Sequence, residues 1–503
     1  MRTDVLIIGG GIMGAVVAAS IRADHPDVDL VIADTGPRIG DVVGLHLHDV
    51  EDEDIWRAYN ELAGSGSQAV YVGAQLERTL GGAPSTARPG MYDLAAFGGR
   101  APGLPGAAIA WNAGGMGVHW TAATPTPYGT EVPEQLPADE WRQDLERAQR
   151  LLGVEPDPYG PTPARGPVLS VLDDAFGEVS APGRGPQPMP MALHDGPDGR
   201  MVRTGPSTIF PALTRGGDER TRILTETTCL RIEHVDGRAT GAVLRGLRDD
   251  VETTVTAGAV VVAADALRSP QLLWASGIRP PALGTHLNEH AMLTGRALLA
   301  HERFGLDLAT IPPLRDREWN SGSSWLPMSG QQQPFQAQLM ETAAQDASGT
   351  VTGYHVGLTW YVPTAIRAEN RIEFSADDLD PVGLPAMRIR FALTDADRAA
   401  IERARVDQAR VGHALGVFDQ ERDTAVLPAG SSLHMTGSVR MGATDDGTSV
   451  CDPDGLVWGT ENVLVAGNGV LPTALAANST LAGSVTAVRA ARRAALVIEG
   501  ARA

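Results

Sequence analysis

The chain has 503 residues, 43% of them hydrophobic and 20% charged, which is enough to bury a large core and too apolar for wholesale disorder. Acidic residues outnumber basic ones by 61 to 41, for a formal net charge of −20; this argues against nucleic acid and against an anionic membrane surface as partners. With only two cysteines, Cys229 and Cys451, a disulfide scaffold and a CxxC metal or redox pair are both excluded.

Residues 5–8 form a continuous apolar run, as expected of a strand buried on both faces of a parallel sheet. Residues 9–14 read Gly-Gly-Gly-Ile-Met-Gly, residues 15–21 are Ala/Val-rich without a breaker, and a second apolar run at 30–33 ends at Asp34. Strand, GxGxxG, helix, strand and acid in this order are a dinucleotide-binding fingerprint. Gly9 permits the tight turn, Gly11 lets the backbone approach a pyrophosphate, and Gly14 lets helix and strand pack closely. Asp34 stands 20 residues past Gly14, where a carboxylate accepts hydrogen bonds from ribose hydroxyls. The N-terminus lacks a basic segment followed by a long apolar run, and no apolar stretch of about 18 residues occurs. A soluble cytoplasmic protein without a transmembrane helix is expected.

Residues 35–50 contain Gly36, Gly40, Gly44, His46 and His48; this segment either wraps the cofactor with backbone groups or simply connects two elements. Residues 80–110 are rich in Gly, Pro, Ala and Arg and read as loop. Residues 155–206 are Pro-rich and read as a lid over the substrate or as a surface loop. From 222 to 264 the pattern is β, with short strands around an Asp236-Gly237 turn. Between 291 and 425, strands are expected at 351–362, 371–374 and 387–392, and a helix at about 396–415. Residues 461–467 read as a strand ending in glycine. Asn478, Ser479 and Thr480, all favoured N-caps, then open an Ala-rich helix to about residue 498. That helix brings a second positive dipole end to the interior. It suits the anionic N1/C2 carbonyl region of a reduced flavin and selects FAD over NAD.

Six segments carry a family likeness. They are residues 9–14 with Asp34, residues 111–121, residues 266–278, residues 283–290, residues 434–442 (His-Met-Thr-Gly-Ser-Val-Arg-Met-Gly) and residues 462–480. Together they resemble the glucose-methanol-choline (GMC) flavoprotein oxidoreductases, and most of all the pyranose oxidase branch with its bacterial glycoside 3-oxidases. The resemblance implies an α/β fold in which a Rossmann-type FAD-binding domain is joined to an α+β substrate domain built on an antiparallel sheet. The first would be discontinuous over 1–50, 100–125, 200–290 and 426–503. The second would comprise 51–99, 126–199 and 291–425, with a lid or loop excursion at 155–206. The implied FAD contacts are Gly9, Gly11, Met13, Gly14, Asp34, Thr35, Trp111, Asn112, Gly114, Gly115, His119, Trp120, Thr121, Cys229, Asn468, Gly469, Ser479 and Thr480. His290 reads as a structural histidine of the family.

Oxidising an alcohol needs a hydride acceptor and a base for the hydroxyl proton. Histidine suits the base because its pKa of about 6.5 lies near working pH. By resemblance His434 is the base, and Asn478 holds and orients the substrate oxygen; the plainer reading of each is a satisfied core polar group. His119 matches the histidine bonded covalently to the flavin in fungal pyranose oxidases, but Val118 stands where the fungal pattern has Thr. Covalent attachment, non-covalent packing and no flavin contact all stay open at His119, with non-covalent packing favoured.

The expected reaction is FAD-dependent oxidation of a secondary ring hydroxyl of a pyranose sugar or glycoside, at C3 in preference to C2. Hydride goes to flavin N5, and O2 reoxidises the flavin to give hydrogen peroxide. A dehydrogenase using a quinone or protein acceptor and a pyranose 2-oxidase are the alternatives, with a flavin-binding protein without turnover as the reading from outside the class. A monomer or small homo-oligomer is expected, and no metal site, since neither HExxH nor an Asp/His cluster occurs.

Overall fold

The computed structural model describes residues 1–60, 79–196, 199–315 and 317–502. Residues 61–78, 197–198, 316 and 503 of the expected domain segments lie outside the described residues. Strand β1 (Arg2–Ile8) is followed at once by helix α1 (Ile12–Asp24) and strand β2 (Leu30–Ala33). β1 lies between β2 and β3 (Glu252–Val262), parallel to both, with Ile8 beside Ala33 on one side and Val262 on the other. Val5, Leu6 and Ile7 are fully buried, as a continuous apolar run in a two-sided parallel strand requires.

This sheet of eight strands also takes in Val463–Val465, so the two ends of the chain meet in one layer. The expected β run at 222–264 resolves into Thr221–Leu224, Thr227–Val235, Arg238–Gly246 and β3. Residues 252–262 form the single long β3, because Thr256, Ala257 and Gly258 interrupt hydrophobicity without introducing a turn.

The second sheet has an antiparallel core of β4 (Ala291–Leu299), β5 (Gly322–Leu326), β6 (Gln336–Gln345) and β7 (Val351–Val362), in the order β4-β7-β6-β5. Its strands alternate strictly. Leu326, Ala337, Leu339, Leu358, Trp360 and Val362 face a core shared with helix Arg165–Phe176 and helix α2 (Asp395–Leu415). Trp325, Gln336, Gln338, Thr359 and Tyr361 fall on the opposite face, which is unusually polar for buried strands. Helix α2 begins at a capping box, in which the Thr394 side chain accepts from the Asp397 amide and Asp397 accepts from the Thr394 amide.

The C-terminal helix α3 (Ser479–Arg502) packs on α1, and its small side chains Ala482, Ala487, Ala490, Ala491 and Ala494 are buried in the core they share. Helix Ala138–Leu152, expected with the substrate domain, buries Trp141, Ala148 and Leu152 in this same core, because its Arg489 and Arg492 contacts through Asp144 draw it onto α3. Segment 155–206 carries a helix and is paired to β5 at Gln187–Pro188. Both cysteines are buried and free. Among the described residues no helix is long and apolar enough to cross a membrane.

Candidate active site

A cavity of about 340 Å³ opens beyond the C-terminal ends of β1, β2 and β3, the place where parallel α/β sheets bind ligands. It reaches across to Met292 and Tyr361 of the second sheet. The turn after β1 is shaped for close backbone approach. Gly9 has φ of +107°, and a Cβ there would lie 2.3 Å from the Ala263 carbonyl oxygen. A Cβ on Gly14 would lie 1.9 Å from the Gly9 oxygen, whereas one on Gly11 would meet only the Gly114 oxygen at 3.5 Å. The fingerprint therefore separates into two glycines required by packing and one that presents bare backbone to the cavity.

Asp34 is at the cavity wall and nearly buried. Its Oδ2 accepts from the Gly10 amide at 2.9 Å and the Gly114 amide at 3.3 Å, and its Oδ1 accepts from Gly36 at 2.8 Å. Burial raises its pKa, and these three amides offset only part of the rise. A carboxylate offers about four acceptor positions, so about one remains.

His119 is buried in the wall, and burial lowers its pKa to about 4, so it is neutral. Its Nε2 lies 2.7 Å from Asn112 Oδ1. The Asn112 amide nitrogen donates to the Gly115 carbonyl, so Oδ1 is the acceptor and His119 Nε2 carries the proton.

His434 and Asn478 both line the cavity, with Asn478 Nδ2 lying 3.4 Å from His434 Nε2. Burial lowers the His434 pKa well below its ordinary value, and His290 adds to the effect. His434 Nδ1 lies 2.8 Å from His290 Nε2. His290 Nδ1 lies 3.0 Å from the Leu475 carbonyl, which can only accept. His290, with its pKa lowered to about 4, is therefore neutral and protonated on Nδ1. Its bare Nε2 accepts from His434 Nδ1–H, which leaves His434 Nε2 unprotonated and facing the cavity. By resemblance His290 has a structural role; the structure places it against His434.

Two carboxylates hold the segments that deliver this pair. Glu289 accepts from Ser432 Oγ at 2.7 Å and from the Gly430 amide, and the Ser432 hydroxyl in turn accepts from the His434 amide. Leu433 between them has φ of +60°, a strained value for a branched side chain. Glu131 Oε1 accepts from the amides of Ala476 and Ala477, both at 2.8 Å, immediately before Asn478. Gln336 Nε2 donates to Asn478 Oδ1 at 2.8 Å, and the Asn478 amide also engages the Tyr361 hydroxyl.

Of the expected cofactor contacts, Gly9, Gly11, Met13, Asp34, Thr35, Trp111, Asn112, Gly115, His119, Trp120, Thr121, Cys229, Asn468 and Thr480 line the cavity. Gly14, Gly114, Gly469 and Ser479 stand behind the wall: Gly14 and Gly469 are closed off by packing, Gly114 donates to Asp34, and Ser479 Oγ bonds Asn468 Nδ2. Sequence reasoning does not single out His290, Glu289, Glu131, Gln336 or Tyr361 as site residues. Only the proximity of Glu289 and His290 in one resembling segment offers a signal.

The wall fits an FAD. Trp111 Nε1, Thr228 Oγ1 and Asn468 Oδ1 are buried in it without a protein partner. Buried polar atoms are ordinarily paired, so these three are waiting for a ligand's donors and acceptors. The glycine turn and the open acceptor position on Asp34 line the same cavity.

Residues 191–292 and 367–487 match the GMC oxidoreductase family. The chain is 37% identical to a C-glycoside 3-oxidase of Microbacterium trichothecenolyticum, over 98% of this chain and 96% of that one. It is 28% identical to a pyranose 2-oxidase of Tricholoma matsutake, over 77% and 73%. Among solved structures, a formate oxidase of Aspergillus oryzae superposes with a TM-score of 0.64 at 14% identity, over 99% and 98%, which shows the shared fold. With that fold, the glycine turn and the His434–Asn478 pair in place, the chain belongs to the GMC oxidoreductase family, in the branch that holds the C-glycoside 3-oxidases and pyranose 2-oxidases.

Proposed function

We propose that the protein is an FAD-dependent oxidase of a secondary ring hydroxyl of a pyranose sugar or glycoside, acting at C3 and passing electrons to O2 to give hydrogen peroxide. The observation that carries this reading is the unprotonated Nε2 of His434 facing the Asn478 amide across 3.4 Å in the cavity wall. The 37% identity to a C-glycoside 3-oxidase supports C3.

The turn at Gly9 and Gly11 would hold the pyrophosphate, Asp34 a ribose, and Trp111, Thr228 and Asn468 other polar groups of the cofactor. When bound, FAD supplies the acceptor for the hydrogen leaving carbon. The chain's own residues handle the proton. A substrate hydroxyl entering between Asn478 and His434 accepts from Asn478 Nδ2 and donates to His434 Nε2. His434 takes the proton as the carbonyl forms, and His290 accepts from the Nδ1–H of the resulting imidazolium. Burial keeps His434 neutral beforehand, so the base is ready across the physiological range.

Non-covalent FAD is part of the proposal, because His119 Nε2 is committed to Asn112. The function is tested by incubating the enzyme with a glycoside in air, measuring peroxide and locating the new carbonyl by NMR. Peroxide equal to product, with the carbonyl at C3, is expected. A carbonyl at C2 overturns the regiochemistry.

A further inference from the structure

The Asn478 amide is useful only one way round. With Nδ2 toward the cavity it donates to a substrate oxygen. With Oδ1 there, it sets a lone pair against both that oxygen and His434 Nε2. Nothing in the Asn478 side chain itself chooses between the two.

The choice is made from the second sheet. Trp325 Nε1 lies 3.2 Å from Gln336 Oε1, and Gln336 Nε2 lies 2.8 Å from Asn478 Oδ1. Trp325 on β5 and Gln336 on β6 are diagonal neighbours on the polar face, since Trp325 is opposite Gln338. An indole N–H can only donate. It therefore fixes Gln336 with its oxygen toward Trp325 and its amino group toward Asn478. That in turn fixes Asn478 with its oxygen toward Gln336 and its amino group toward His434. At the far end the Leu475 carbonyl can only accept, and it fixes His290 and then His434. The two ends impose the same direction, and they meet donor to acceptor at Asn478 Nδ2 and His434 Nε2. Trp325 is itself clamped: the Arg184 guanidinium stacks 4.8 Å from its ring and donates to the Met328 carbonyl.

We infer that Trp325 and Gln336 are positioning residues which, through a one-directional hydrogen-bond chain, set the face of Asn478 and so, together with the Leu475–His290 end, hold the tautomer of His434. The inference rests on the proposed reaction only for its kinetic consequence; the tautomer is a property of the resting holoenzyme.

The test uses ¹⁵N-histidine-labelled holoenzyme, wild type and Gln336→Glu, with His434→Asn and His290→Asn spectra to assign the two rings. In wild type both rings should be neutral with the proton on Nδ1. The carboxylate introduced by Gln336→Glu would only accept, from Trp325 and from a turned Asn478, so the Asn478 oxygen would face His434. Acceptors would then face both His434 nitrogens, so His434 should no longer hold a single Nδ1–H tautomer: an Nε2–H or imidazolium signal should appear, and the limiting rate of flavin reduction by sugar should fall at least about tenfold. A wrong tautomer alone costs about 10⁴ in a serine protease triad. A folded Gln336→Glu enzyme in which His434 keeps Nδ1–H alone overturns the inference, whatever its rate. If that variant does not fold, Trp325→Phe takes its place: with Gln336 free to turn, the His434 Nε2 resonance should shift or broaden as the Asn478 donor is lost, and an unchanged Nε2 signal overturns it. If sugars fail to reduce the flavin while the histidine signals behave as expected, the proposed substrate fails and this inference stands.

Discussion

His290 Nε2 and His434 Nδ1 are 2.8 Å apart, with their rings crossing at 86°. The contact joins two segments 144 residues apart, and it assigns the proton on each ring because the Leu475 carbonyl terminates the chain. A buried imidazole left to itself can carry its one proton on either nitrogen. Here the unprotonated nitrogen, the one proposed as the base, is specified in the resting protein.

His290→Phe should therefore lower the limiting rate of flavin reduction by at least about tenfold while FAD stays bound, because His434 loses the acceptor that holds its proton on Nδ1. Anaerobic stopped-flow measures the rate, and flavin absorbance after gel filtration measures retention. An unchanged rate would remove His290 from the base's environment.

His434→Ala should retain FAD and slow flavin reduction by about a hundredfold or more, the scale of a lost general base. Since burial holds the native pKa well below its ordinary value, wild-type reduction should show no acid limb from His434 near neutral pH.

Glu289 predicts a pH effect on stability. Burial raises its pKa from 4.5 to about 7, although Ser432 and Gly430 donate to it. An acid whose folded pKa is raised contributes stability that is complete below its unfolded pKa and is lost as pH rises through the folded value. Relative to Glu289→Gln, wild type should lose thermal stability between about pH 5 and pH 8. A difference in Tm that is flat over that window contradicts the assignment.

Glu131→Ala should leave the Ala476 and Ala477 amides buried and unpaired, at a cost of about 1–3 kcal/mol each. Urea unfolding should show the loss, and flavin reduction should slow because the turn carrying Asn478 slackens. Glu131→Gln, which keeps an acceptor oxygen, should recover most of both.

Much of the dinucleotide site is legible in the sequence because its signals are local. The glycine turn, strands β1 and β2 and Asp34 lie within the first 34 residues, and Gly9 and Gly14 meet steric demands that no other side chain satisfies. His434 and Asn478 are found by their place in resembling segments. The supporting residues are not. Gln336 is 142 residues from Asn478, and Glu131 is 345 from Ala476. Alternation along residues 336–345 reveals two faces, but not which one looks toward the flavin cavity. The packing of helix Ala138–Leu152 is hidden for the same reason: the Arg489–Asp144 ion pair that ties it to α3 is invisible until both are in space.

The central claim is tested most directly by mixing the holoenzyme with glycosides and free pyranoses without oxygen, then admitting air. The flavin should bleach with glycosides and recolour in air as peroxide forms, and acid precipitation should leave the yellow colour in solution. Colour that persists with every sugar would contradict sugar oxidation, and bleaching that air does not reverse would contradict the oxidase assignment.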